Sequence, residues 1–303
     1  MDHWNAVEPP TQGPINSSVL YLQPHHRSAI VFDGESCDLD VRRCDKESFK
    51  PFMHIDPRVS DYTDMIGFGG VRRVGYVHVD HGLITALVEY WKQETHIFHL
   101  SIMGEATITL QDVDVLWGLH IDGLSVTVNH IRRNPLQHQQ MIYDVLSVWL
   151  ENRHFRDGRL KMSFIKARLW IALEPSTSDV VVRQYARMYI LILLGGLLFA
   201  DTTSNVVSTN WFDYVQDLEA MNEYSWKSVV LAYLYSRMYI ASRAETKSTG
   251  GPYLLLQFWA WERISLIRPD IHPRYEIGDY PRGGRWADDR LDYEPPGRLA
   301  VYY

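Results

Sequence analysis

The stretch Leu83–Gly123, LITALVEYWKQETHIFHLSIMGEATITLQDVDVLWGLHIDG, decides the fold class. In Leu83–Lys92, the residues Leu83, Ile84, Leu87, Val88 and Trp91 share one face and Thr85, Glu89 and Lys92 lie opposite, which predicts an amphipathic helix. Glu94–Leu100 alternates and carries β-favouring Thr95, Ile97 and Phe98, which predicts a short strand. Thr109 and Asp112 have the spacing of a helix capping box. Leu110, Val113, Leu116 and Trp117 share the next apolar face, and Gly118 supplies the stop.

Helical patterns dominate downstream. Gln139–Glu151 carries the stripe Ile142, Val145, Leu146 and Trp149, and Leu160–Leu173 is a second helix that ends before Pro175. A long helix starts at Ser178 or Asp179 and runs to about Phe199. Gly195-Gly196 inside it costs about 1–2 kcal/mol of helix propensity, so a kink or a close packing contact is expected there. Ser225–Arg243 is apolar nearly all round and reads as a buried helix, in which Arg237 needs a carboxylate partner. Gly250-Gly251-Pro252 opens the next helix. Its Trp259 and Trp261 point about 200° apart, so it must be covered on both sides, with Glu262 and Arg263 seeking partners.

Upstream, Val19–Leu22 and Ala29–Phe32 read as short extended segments, and Arg42–Lys50 as a solvated connector. His54–Pro57 and Gly67–Gly70 read as loops. The expectation is a mainly α protein: a single multi-helix domain of about nine helices, with a few short β-strands in the N-terminal third. Residues 1–20 form an irregular N-terminal arm and 21–303 the helical domain.

The 303 residues are 46% hydrophobic and 13% aromatic, enough to build a sizeable core. The net charge of −7 gives no overall attraction to nucleic acid. Cys37 and Cys44 are the only cysteines, which excludes a disulfide framework and fits cytosol or nucleus. The N-terminus lacks the pattern of a signal peptide. The apolar run Met188–Ala200, bracketed by Arg187 and Asp201, is too short to span a bilayer, so no membrane partner is expected.

Catalytic signatures are missing. There is no nucleophile elbow and no phosphate-binding loop, and Asp201-Thr202-Thr203 lacks the glycine of an aspartic-protease triplet. His78, Asp80 and His81 are the nearest approach to a ligand set, with His96 and His99 nearby, but their spacing matches no helical ligand pair. A metal-dependent enzyme using His78, Asp80 and His81 is the weaker alternative. The capped helix ending at Gly118 is followed by β-like Leu124–Val128 rather than by a DNA-recognition helix. Neither Lys161 nor Lys166 comes with a phosphate cup for pyridoxal phosphate. The residues point to a protein that is not an enzyme and needs no cofactor.

ETHIFHLSIMGEATITLQDVDVLWGLHIDG resembles the plant mobile domain, a transposon-associated module of MAINTENANCE OF MERISTEMS-like proteins that often carries an "aminotransferase-like" label. His25-His26-Arg27, Asp56–Val59, Arg187–Phe199, Tyr224–Trp226, Ala232–Tyr235 and Leu254–Arg263 agree with it in order, from about residue 20 to the C-terminus. Leu119-His120 stands where the family usually has Leu-Pro, and Ser101-Ile102-Met103 where it has a proline turn. Family members usually continue past the position of Tyr303, so the resemblance implies a domain truncated at its C-terminus.

The resemblance implies a non-catalytic nuclear protein-interaction module. Its implied roles are transposable-element silencing, gene-expression control, genome stability and meristem maintenance, with a serine/threonine phosphatase 7-like partner. The alternative it leaves open is a transposon-derived domain that binds nucleic acid, as DNA or chromatin. No catalytic, cofactor-binding or metal residue is assigned. The candidate interaction or family-signature residues are Glu94, His96, His99, Asp112, Gly118, Trp226, Trp259, Trp261, Glu262 and Arg263.

Overall fold

The computed structural model describes residues 18–32, 38–43, 55–75, 77–100, 104–119, 122–127, 134–203, 205–270 and 281–286. The chain opens with α1 (Arg27–Phe32), β1 (Asp40–Arg42), α2 (Pro57–Met65), α3 (Gly69–Val74) and α4 (His81–Tyr90). An antiparallel meander follows, β2 (Trp91–Lys92), β3 (Ile97–Leu100) and β4 (Gly104–Ala106), and leads into α5 (Leu110–Trp117). Next come α6 (Pro135–Leu146), the hairpin β5 (Phe155–Arg156) and β6 (Arg159–Lys161), α7 (Met162–Leu169) and α8 (Asp179–Leu193). The last part holds β7 (Val206–Val207), α9 (Phe212–Val215), α10 (Leu218–Met221), α11 (Trp226–Ala241), β8 (Ser248–Gly250) and α12 (Tyr253–Arg263). With 57% helix, and 12 α-helices among the described residues, the protein is mainly α, as expected. Short strands also occur after residue 150: β7 pairs with β6, and β8 lies parallel to β1 with Val41 opposite Thr249.

One contiguous core runs from Leu39 to Trp286, and α4 and α12 pass through it. The residues of α12 from Tyr253 to Trp261 are all buried, which is the two-sided cover that Trp259 and Trp261 demanded. The amphipathic reading of α4 is corrected. Thr85 and Glu89, assigned to its polar face, are buried as well. Thr85 tolerates this because its hydroxyl donates to the His81 carbonyl at 2.7 Å and accepts from Leu39 N–H at 2.9 Å.

Gln257 joins the two helices. Its Oε1 accepts from Asp80 N–H at 2.8 Å and its Nε2 donates to the His78 carbonyl at 2.7 Å, while the Asp80 carboxylate caps α4 through Leu83 N–H at 2.9 Å. His78 and Asp80 thereby serve the start of a helix, and His81 Nδ1 faces Val41 N–H at 3.1 Å.

The Gly195-Gly196 expectation is met by a π-helical turn, Leu194–Leu198, that extends α8. A Cβ on Gly195 would stand 2.7 Å from the Val207 Cβ, so the glycine lets β7 approach the helix. Asp179–Leu198 is long and apolar enough to cross a membrane, but 67% of its apolar window is buried inside the protein. It is the core helix of this fold.

Other expectations need correction. α11 is buried on one side only, along Trp226, Val230, Leu234, Met238 and Ala241. Its tyrosines stay near the surface because their hydroxyls find carbonyls there, Tyr233 on Ala200 and Tyr235 on Ile108. Arg237 donates to the Gly250 carbonyl at 2.7 Å instead of pairing with a carboxylate. Trp149 lies beyond the end of α6, exposed, because Ser147 takes a left-handed conformation and stops the helix. Leu160 and Lys161 belong to β6, and α7 ends at Leu169. Ala29–Phe32 is helical rather than extended, and Pro57 and Gly69 each begin a helix where loops were expected. Arg42 belongs to β1, while 44–50 and His120 lie outside the described residues, as do residues 1–17 and Ser101–Met103.

Two substitutions probe this frame. Gln257→Leu strands a buried N–H and a buried carbonyl, so the denaturation midpoint should fall by the equivalent of about 2–4 kcal/mol. Gly195→Ala should destabilise by about 1–3 kcal/mol, despite alanine's better helix propensity, and in a double-mutant cycle its cost should be smaller in a Val207→Gly background, although Val207→Gly is itself destabilising.

Candidate functional site

The end of α4 turns a corner at Trp91, and the corner holds the N-terminal segment. Lys92 Nζ donates to Gln23 Oε1 at 2.8 Å, and Glu94 accepts from Leu22 N–H at 2.7 Å. Gln93 Nε2 reaches the end of α11, donating to the Tyr239 carbonyl at 3.0 Å and to Ser242 Oγ at 2.6 Å. His26 is buried between them. Its Nε2 lies 2.8 Å from the Trp91 carbonyl, which can only accept, so Nε2 carries the proton and Nδ1 accepts from Ser28 N–H at 3.1 Å. Arg27 N–H and Ala244 N–H complete the latch, donating to the Ser242 and His25 carbonyls.

His96 sits at φ 55° in the turn before β3 rather than in the strand, and its ring stacks on Tyr235 at 5.5 Å with 2° between the planes. The Tyr235 hydroxyl donates to the Ile108 carbonyl at 2.6 Å and lies 2.8 Å from the Thr107 hydroxyl, which donates to the His96 carbonyl. Two residues on, Thr109 and Asp112 form the expected capping box, and the second Asp112 oxygen accepts from Arg263 at 3.0 Å. Two adjacent polar sets result, one tying the turn at His96 to α11 through Thr107 and Tyr235, the other tying the start of α5 to α12 through Asp112 and Arg263. His99 stands across the strand pair from Glu105, with Nδ1 3.8 Å from the carboxylate.

The remaining candidates lie in the core or close to it. Gly118 takes the left-handed conformation, φ 67°, that ends α5. Trp259 stacks on Phe98 at 5.0 Å. Trp261 meets Trp286 edge-on at 5.4 Å, while Glu262 pairs with Arg285, whose guanidinium covers the Trp286 ring. Trp226 is set apart among Phe68, Trp211 and Tyr214, with its indole N–H on the Met221 carbonyl.

The arrangement braces loops and helix ends. Glu94, His96, Asp112, Glu262 and Arg263 each serve a structural contact, and no two of them face each other across a cleft as an acid and a base would. Among the described residues, no group of three or more His, Cys, Asp or Glu side chains is placed to hold a metal ion.

Sequence reasoning missed the roles of His26, Gln93 and Tyr235, and the buried Lys227 that lies 3.5 Å from Asp114. The triplet His25-His26-Arg27 was legible as a family signature. Its partner at Trp91 is 65 positions away, beyond any periodicity.

Burial and the nearby Lys92 and Arg27 cations push the His26 imidazole down from 6.5 to about 4. The unfolded histidine takes up its proton near pH 6.5, the folded one only near pH 4. Stability is therefore full above about pH 6.5 and falls as the pH drops toward 4, by about 2 kcal/mol between pH 7 and pH 5. Urea titrations at the two pH values measure this, and His26→Gln should flatten the difference.

The chain matches the family model described as Plant mobile domain over residues 67–297. It is 31% identical over 300 residues to the Arabidopsis thaliana protein named Serine/threonine-protein phosphatase 7 long form homolog, covering 96% of this chain and 22% of that protein. Identity to Protein MAIN-LIKE 1 of the same plant is 30% over 266 residues, covering 85% of this chain and 50% of that one. Identity to Protein MAINTENANCE OF MERISTEMS is 29% over 252 residues, covering 83% and 51%. The chain spans 22% to 51% of the length of these relatives. No solved structure matches it. With the family model spanning the core from the loop before α3 to beyond Trp286, the chain belongs to the plant mobile domain family.

Proposed function

We propose that this domain is a non-catalytic protein-interaction module that works in the nucleus and docks a serine/threonine phosphatase 7-like partner. One observation carries the reading: 96% of the chain is matched within a relative that bears the phosphatase 7 name, and that match makes up 22% of the relative. Sharing a polypeptide raises the effective concentration of two units, so a weak contact that forms in cis can also form between separate chains if its surfaces are retained. The resemblance to proteins named MAIN-LIKE 1 and MAINTENANCE OF MERISTEMS motivates the wider setting, namely transposable-element silencing, gene-expression control, genome stability and meristem maintenance. The polar side chains of the signature support a non-catalytic role, because the contacts that hold the fold already engage them.

Affinity capture with the intact chain from plant nuclei, followed by mass spectrometry, tests the proposal. A phosphatase 7-like protein is expected among the retained chains. Its absence, or exclusion of a fluorescent fusion of the chain from the nucleus, overturns the reading.

A further inference from the structure

We infer that the partner docks on the surface made by the β5–β6 hairpin with the ends of α6 and α7, through a segment in which carboxylates surround apolar side chains. This rests on the reading of the chain as a phosphatase-docking module and names the face that module uses.

Two tryptophans mark the surface. Seven of the nine tryptophans among the described residues are at most 7% exposed; the other two are Trp149 at 56% and Trp170 at 66%. An indole in water leaves a large apolar area uncovered, which makes each of them a ready anchor. Ile171 adds to it, 61% exposed.

Between these tryptophans the charge reverses relative to the whole. Residues 151–170, ENRHFRDGRLKMSFIKARLW, hold six Lys and Arg against two carboxylates, in a chain of net charge −7. Arg153 and Arg156 have exposed side chains, and among the described residues they pair with similarly exposed neighbours, Arg153 with Glu151 at 3.1 Å and Arg156 with Asp157 at 3.9 Å. Such surface pairs contribute at most about 1 kcal/mol, so a partner's carboxylate can replace them at little cost. Arg159 is different, since it pairs with Asp201 and fastens the hairpin.

The pieces are physically joined. Trp149 stacks on Tyr143 of α6 at 4.9 Å, and His138 of α6 meets Phe155 of β5 at 6.0 Å. His154 meets Phe164 of α7 at 5.0 Å, and Lys161 Nζ donates to the Arg153 carbonyl at 2.7 Å. The outer face of α7 exposes Ser163 and Ala167 at helical spacing before Trp170.

Composition favours a protein over a nucleic acid. Four of the six cations are arginines, and Arg with Trp and Tyr is the combination enriched at protein–protein interfaces, where Lys is depleted. Exposed Glu151 and Asp157 interrupt the cations, which therefore do not form the continuous basic stripe that tracks a phosphate backbone.

The test titrates the purified full chain against a purified phosphatase 7-like protein, beside the variants Trp170→Ser and Arg153→Glu/Arg156→Glu. All three positions are exposed, so unchanged circular dichroism and melting temperature are expected. Trp170→Ser should weaken binding about tenfold or more. The double charge reversal should slow association and reduce its salt dependence. Wild-type binding with undiminished binding by both variants overturns this surface and leaves the docking role standing. Failure of the wild-type chain to bind overturns both. If a labelled oligonucleotide, single-stranded or duplex, binds with salt-sensitive affinity that the charge reversal abolishes, while phosphatase binding is unaffected, the surface belongs to nucleic acid and the inference falls.

Discussion

The side-chain amide of Gln257 holds the N-terminal start of α4 against the middle of α12, and the rest of the packing is arranged around that joint. Two helices buried on nearly every side cannot present their ends to water, so orphaned backbone groups near them need protein partners. One amide supplies a donor and an acceptor at once, to the His78 carbonyl and the Asp80 N–H. The Asp80 carboxylate caps α4, and α12 carries aromatic pairs on opposite sides, Trp259 against Phe98 and Trp261 against Trp286.

A second set of polar contacts closes the outside of this core. His26, Gln93 and Glu94 tie the N-terminal segment and the end of α11 to the Trp91 corner, and Tyr235 ties α11 to the turn before α5. The groups that suggest chemistry in a sequence, histidines and carboxylates close together, are held by these contacts. Buried or half-buried polar atoms must be matched, and in this domain the matching is structural. The two exposed tryptophans, and arginines held only in surface ion pairs, lie elsewhere, around the β5–β6 hairpin.

Local rules were readable where the partners are neighbours in sequence. The Thr109–Asp112 capping box, the Gly118 stop and the disturbance at Gly195-Gly196 each involve residues a few positions apart, and each is present. The same rules failed where burial is set from outside. α4 looked amphipathic, but Thr85 is buried because Leu39 N–H meets it, and α11 looked buried all round, yet its tyrosines lie outward with their hydroxyls on distant carbonyls.

By itself the sequence determined the helical class, the placing of most core helices and the family signature, because periodicity, caps and glycine stops are properties of short windows. Only the tertiary structure decided what the signature residues do. Leu22 meets Glu94, His26 meets Trp91, Asp112 meets Arg263 and Glu262 meets Arg285 across separations that local pattern does not encode. The same holds for the tryptophans: in the sequence Trp149 and Trp170 look like the other core aromatics, and the packing of α6, α7 and α8 leaves these two in water.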